Sequence, residues 1–98
     1  MASKALVVRL EAKEETAAEL GEFLGGAVGL ANQEEGTPVW FALQTTPTTY
    51  WIVDAFPGDQ ERQAHLNGPI AAALMANADR LLSEPPSIQP ADVLASKY

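Results

Sequence analysis

The stretch Thr49–Ala78, TYWIVDAFPGDQERQAHLNGPIAAALMANA, holds a strand, a sharp turn and a helix that carries the chain's one histidine. Tyr50, Trp51, Ile52, Val53, Ala55 and Phe56 form an almost unbroken β-prone apolar run. Asp54 interrupts it with a single carboxylate, and Pro57-Gly58-Asp59 ends it. Asp59 is the expected N-cap of the helix that follows, which brings in His65 about two turns later. Asn67-Gly68-Pro69 breaks that helix, since Pro69 suits the first turn of a renewed helix better than the interior of an old one. Ile70, Leu74, Ala78, Leu81 and Leu82 then make an apolar face, and SEPP at 83–86 stops it.

Upstream, Lys4 to Ala12 alternates as a strand, with Leu6, Val8 and Leu10 on one face and Ala5, Val7, Arg9 and Glu11 on the other. Glu14, Glu15 and Thr16 open a helix with acids where its dipole favours them. Its buried stripe is Ala17, Leu20, Leu24, Ala27, Val28 and Ala31; Glu15, Glu19 and Glu22 are solvated. Gly21, Gly25 and Gly29 lie on one stripe of this helix, and Gly26 adds a fourth glycine. They either permit close backbone packing or leave room for a ligand. Asn32 to Thr37 is a polar loop turning at Gly36. Val39 to Gln44 is the second strand, with Val39, Phe41 and Leu43 opposite Trp40, Ala42 and Gln44, and residues 45–48 form a hairpin connection into the third. Ile88 to Ser96 is the last expected strand, with Val93 and Leu94 buried.

The order is β-α-β-β-α-β, the ferredoxin-like split: an α+β fold with an antiparallel sheet and both helices on one face, in one domain spanning 1–98. The third strand is apolar on both faces, Tyr50, Ile52 and Phe56 on one and Trp51, Val53 and Ala55 on the other. Helices cover only one side of such a sheet, so the other needs a second cover. The expected cover is a second copy, giving a homodimer through the open sheet face.

Ninety-eight residues, 47% hydrophobic and 19% charged, suit one modest globular core. Six basic against thirteen acidic residues give a net charge of −7. That balance speaks against nucleic acid and against an anionic membrane surface. The absence of cysteine excludes disulfides, thiolate sites and cysteine nucleophiles, and one histidine makes a zinc or copper site unexpected. No uncharged apolar run reaches the ~18 residues of a membrane span. MASKALVVRLE does not read as a signal peptide, because charge returns at Arg9, and a cytoplasmic location is expected.

Three segments, EEGTPVWFAL (34–43), VDAFPGDQERQAHLNGPIAAALM (53–75) and LLSEPPSIQPADVLASK (81–97), resemble the antibiotic-biosynthesis monooxygenase family. That family consists of dimeric α+β barrels and includes quinol-type monooxygenases. Its recurrent feature is an acid on the third strand, more often glutamate, followed by a histidine early in the second helix; Asp54 and His65 occupy those places. A related haem-degrading branch uses an Asn–Trp–His set, which this chain lacks: Arg9 and Glu11 stand where asparagine would, and Ala55 falls near the tryptophan position.

The resemblance implies oxidation of a small aromatic quinol or anthrone-like substrate by dioxygen, with neither metal nor flavin and thus no cofactor. His65 would act as base and Asp54 would hold its tautomer. Trp40, Tyr50, Trp51 and Phe56 would bind the ring, although Trp51 faces opposite to Tyr50 and Phe56, so all four cannot line one pocket. Each has a plainer reading. His65 could be a capped or half-exposed structural residue. Asp54 could bond backbone amides near the turn, or pair with Arg9 or Arg62. Arg62 and Arg80 are expected in solvent. Two alternatives to the oxygenase remain open: a non-enzymatic dimeric barrel that binds a small hydrophobic ligand or only assembles, and an isomerase or lyase using the same pair without oxygen.

Overall fold

The computed structural model describes residues 2–97. Its elements are β1 (Lys4–Glu11), α1 (Ala17–Ala31, preceded by a 3-10 turn at Glu14–Thr16), β2 (Val39–Gln44), β3 (Thr49–Phe56), α2 (Asp59–Leu66), α3 (Pro69–Leu81) and β4 (Ser87–Asp92). The four strands form one antiparallel sheet in the order β2-β3-β1-β4. This is the ferredoxin-like α+β arrangement expected from the order of elements.

The register explains why β3 is central. Leu6 pairs with Asp54, Val8 with Ile52 and Leu10 with Tyr50 across β1, while Trp40, Ala42 and Gln44 oppose Asp54, Ile52 and Tyr50 across β2. Side chains alternate along a strand, so these residues all lie on the helix-bearing face. There Leu6, Val8, Leu10, Tyr50, Ile52 and Phe56 pack with Leu20 and Leu24 of α1 and Leu74 and Leu81 of α3. The opposite face carries Val7, Trp51 and Val53, half-buried, and Phe41 and Leu43, 55% and 46% exposed.

The local signals acted as expected at the helix break. Pro69 opens α3 after Gly68, and α2 ends at Leu66 with Asn67 as its C-cap. Other expectations need correction. Gly58, not Asp59, is the N-cap of α2; Asp59 lies one residue inside and accepts a hydrogen bond from Arg62 at 2.9 Å. Val28 is 45% exposed, although Ala27 and Ala31 at the same end of α1 are buried. β4 ends at Asp92, so Val93 is only half-buried and Leu94 is 96% exposed, past the end of the partner strand β1 at Lys4. Arg62 is not a solvated side chain: it reaches across the sheet end to the carbonyls of Ala5 (3.3 Å) and Ala91 (3.2 Å). Arg80 remains at the surface, paired with Glu19.

Candidate active site

The two residues singled out by the sequence meet. Asp54 sits on the helix-facing side of β3, 1% exposed, and His65 lies in the last turn of α2, 6% exposed. His65 Nε2 stands 2.9 Å from Asp54 Oδ2. The approach is off the line of the ring N–H, and among the described residues neither Asp54 oxygen has a well-formed hydrogen-bond partner. The contact is an ion pair more than an aligned hydrogen bond. Arg9 cannot serve Asp54, because adjacent β1 positions alternate and Arg9 lies on the other face, bonded to Glu11 and Glu84. Arg62 is committed to backbone carbonyls and Asp59.

A third member was missed. Glu34, on the loop between α1 and β2, brings both carboxylate oxygens to 3.1 Å from His65 Nδ1. The imidazole is therefore held between two carboxylates, one on each nitrogen. Burial pushes the histidine pKa down, but Asp54 and Glu34 together outweigh it and leave the pKa above the ordinary value. Nothing in the spacing of Glu34 advertises this role. The only sequence sign was an acidic pair, Glu34-Glu35, beside a turn glycine.

Two spaces border this group. A narrow cavity of about 30 Å³ lies between the sheet and α3, lined by apolar residues including Leu6, Val8, Ile70, Leu74 and Ile88, with Asp54 and His65 its polar wall. On the other side an open pocket of about 410 Å³ is lined by Glu34, Gly36, Thr37, Gln60, Glu61, Ala64 and His65. Gly68 makes room for Glu34: a Cβ there would come within 3.3 Å of Glu34 Oε1 and 3.2 Å of the Ala64 and His65 carbonyl oxygens.

The aromatics are dispersed. Phe56 is fully buried, its ring 5.3 Å from that of His65. Tyr50 points to the other end of the sheet, where its hydroxyl donates to the Ala17 carbonyl at 2.8 Å. Trp51 lies on the open face and donates to Thr45 Oγ1 at 2.9 Å. Trp40 packs against Ala27, Ala31 and Ile70, and its buried Nε1–H has no partner among the described residues. None of the four lines either space at His65. A separate groove of about 210 Å³ runs between α1 and β2, lined by Gly21, Gly25, Leu43, Gln44 and Tyr50 among others. Among the described residues no cluster of three or more histidine, aspartate or glutamate side chains is placed to hold a metal, and no helix is long and apolar enough to cross a membrane.

This architecture is shared with a class of small α+β proteins. A "putative antibiotic biosynthesis monooxygenase" from Nitrosomonas europaea matches with TM-score 0.84 at 16% identity, covering 94% of this chain and 99% of that one. A protein of the same description from Deinococcus radiodurans matches with TM-score 0.81 at 18% identity, covering 97% and 96%. The fold is that of the antibiotic-biosynthesis monooxygenases, as the sequence resemblance implied. At nearer range, a protein of unknown function from Nitrosomonas europaea is 55% identical, with TM-score 0.97 over 100% of this chain and 95% of that chain. The chain belongs to the same family as that protein. No protein-family model matches the sequence, and no curated protein does.

Proposed function

We propose that the protein is a cofactor-independent monooxygenase that oxidises a small aromatic quinol or anthrone-like substrate with dioxygen, working as a homodimer. The observation that carries this reading is the buried Asp54–His65 pair set in the wall of an apolar cavity. A phenolic substrate must lose a proton before it is electron-rich enough to reduce oxygen. A dry, apolar surrounding protects the anion and its oxygen adduct. Overall, one oxygen atom enters the substrate and the other leaves as water, the substrate supplying the four electrons and the hydrogens.

The geometry favours a division of labour within the pair. Asp54 has carboxylate oxygens free of well-formed hydrogen bonds, so it is the atom group that meets a substrate hydroxyl. His65, with both nitrogens at carboxylates, holds the charge balance behind it. A benzene-sized ligand needs on the order of 150 Å³, well above the 30 Å³ present. Admission of a ring therefore displaces a lining side chain, and Ile88, 43% exposed on the edge strand, is the most exposed of them.

That same small volume favours one rival, a barrel filled by its own side chains that only assembles. Oxygen consumption with a panel of quinols separates the two. Activity that falls by about 10²–10⁴ in His65→Ala and Asp54→Asn supports the oxygenase. Turnover of a quinol-like substrate without oxygen uptake would move the reading to an isomerase or lyase. No turnover of any substrate, with a folded dimer, would leave the assembling barrel.

The open sheet face supports the dimer. Phe41, Leu43, Trp51 and Val53 form a contiguous apolar surface on a sheet whose helices lie all on the other side.

A further inference from the structure

We propose that Glu34 is the port through which the buried His65 exchanges its proton with solvent. On its Asp54 side His65 meets a carboxylate that is 1% exposed and an apolar space beyond it. On the Nδ1 side stands Glu34, whose two oxygens are 3.1 Å from the nitrogen and whose side chain is 19% exposed. Glu34 also lines the open 410 Å³ pocket, so one carboxylate touches both the imidazole and the route to water. The position is built into the fold: Gly68, at the break between α2 and α3, leaves the space that Glu34 Oε1 occupies.

The proton steps balance. The resting group is Asp54 carboxylate, His65 imidazolium and Glu34 carboxylate. To unload, the Nδ1 proton passes to Glu34, which releases it to water in the pocket and returns to carboxylate. The neutral imidazole keeps its Nε2 proton toward Asp54, and loading runs back along the same path. In turnover, a proton that Asp54 takes from the substrate leaves the charge of site and substrate together unchanged, and the port resets His65 between cycles. This use in turnover rests on the proposed oxidation; the port itself does not.

The charged groups around the ring are Asp54 from β3, Glu34 from the α1–β2 loop and, on the same helix α2, Glu61 at the pocket wall. Arg62 of α2 is turned away to the Ala5 and Ala91 carbonyls.

The test is nitrogen-resolved NMR of the single histidine in the full chain, reading both its titration and the rate at which its ring protons exchange with water. Glu34→Gln keeps the shape of the side chain and removes its basicity; Glu61→Gln removes a pocket charge without touching Nδ1. The expected result is exchange at Nδ1 slowed by about tenfold or more in Glu34→Gln and unchanged in Glu61→Gln. A pKa lowered in Glu34→Gln with exchange as fast as wild type makes Glu34 a counter-charge only and overturns the port. Equal slowing in both variants also overturns it, since the effect would then be one of pocket charge. If Glu34→Gln slows exchange while wild type consumes no oxygen with any quinol, the port stands and the oxidation does not.

Discussion

His65 is charged at neutral pH more readily than a free histidine, and the sign of its contribution to stability follows. Its folded pKa is raised above the ordinary value of 6.5 that the unfolded chain takes. The group's stabilisation is therefore complete below that unfolded value and is lost as pH rises through the folded pKa. Thermal unfolding followed from pH 6 upward is expected to show wild type losing stability over that window, with His65→Gln lacking that component. A His65→Gln curve parallel to wild type would assign the pH dependence to other groups. Asp54→Asn removes one of the two carboxylates that raise the His65 pKa and should lower it, read by the same histidine resonances.

At the scale of elements, α1 and the α2–α3 break carry distinct predictions. A Cβ at Gly25 meets no atom within 4 Å, whereas at Gly21 it would lie 3.3 Å from the Tyr50 hydroxyl. Gly25→Ala should thus stabilise the helix by about 0.5–1 kcal/mol, measured by denaturant unfolding, while Gly21→Ala gains less or loses. The reading of the glycines as close packing fails at Gly25, which borders a real groove of about 210 Å³. Gly68→Ala crowds Ala64, His65 and Glu34 at once and is expected to cost about 1–3 kcal/mol. It should also displace Glu34, seen as a lowered His65 pKa.

At the scale of the whole molecule, the apolar sheet face calls for a cover. If a second copy supplies it, Phe41→Glu with Val53→Lys should convert the protein to monomer in analytical ultracentrifugation while the helix-face core, with Leu10, Leu20 and Phe56 all fully buried, stays folded. A wild type that sediments as a monomer at high concentration would remove the dimer from the proposed function. Core truncation acts independently of assembly. Leu20→Ala, at 0% exposure between α1 and the sheet, should cost about 2–5 kcal/mol by denaturant unfolding.

The sequence by itself determined the order of elements, the antiparallel sheet and its two faces, because period-two alternation in β1 and β3 and the breaks at Pro57-Gly58 and Asn67-Gly68-Pro69 are local signals. It also brought Asp54 and His65 forward, since one carboxylate inside an apolar strand and one histidine in the chain stand out without any contact being known. Only the tertiary structure decided that the two meet, that Glu34 completes the group from the far side of the ring, and that none of the four aromatics lines either space at His65. Those facts depend on how the α1–β2 loop folds back over α2, across 31 residues of sequence. No periodicity records a contact at that separation. The misplaced end of β4 has the same origin: Val93 and Leu94 look like strand residues, but the ladder with β1 ends at the Lys4–Asp92 pair, with one more backbone hydrogen bond from Val93 to the Ser3 carbonyl at 3.0 Å.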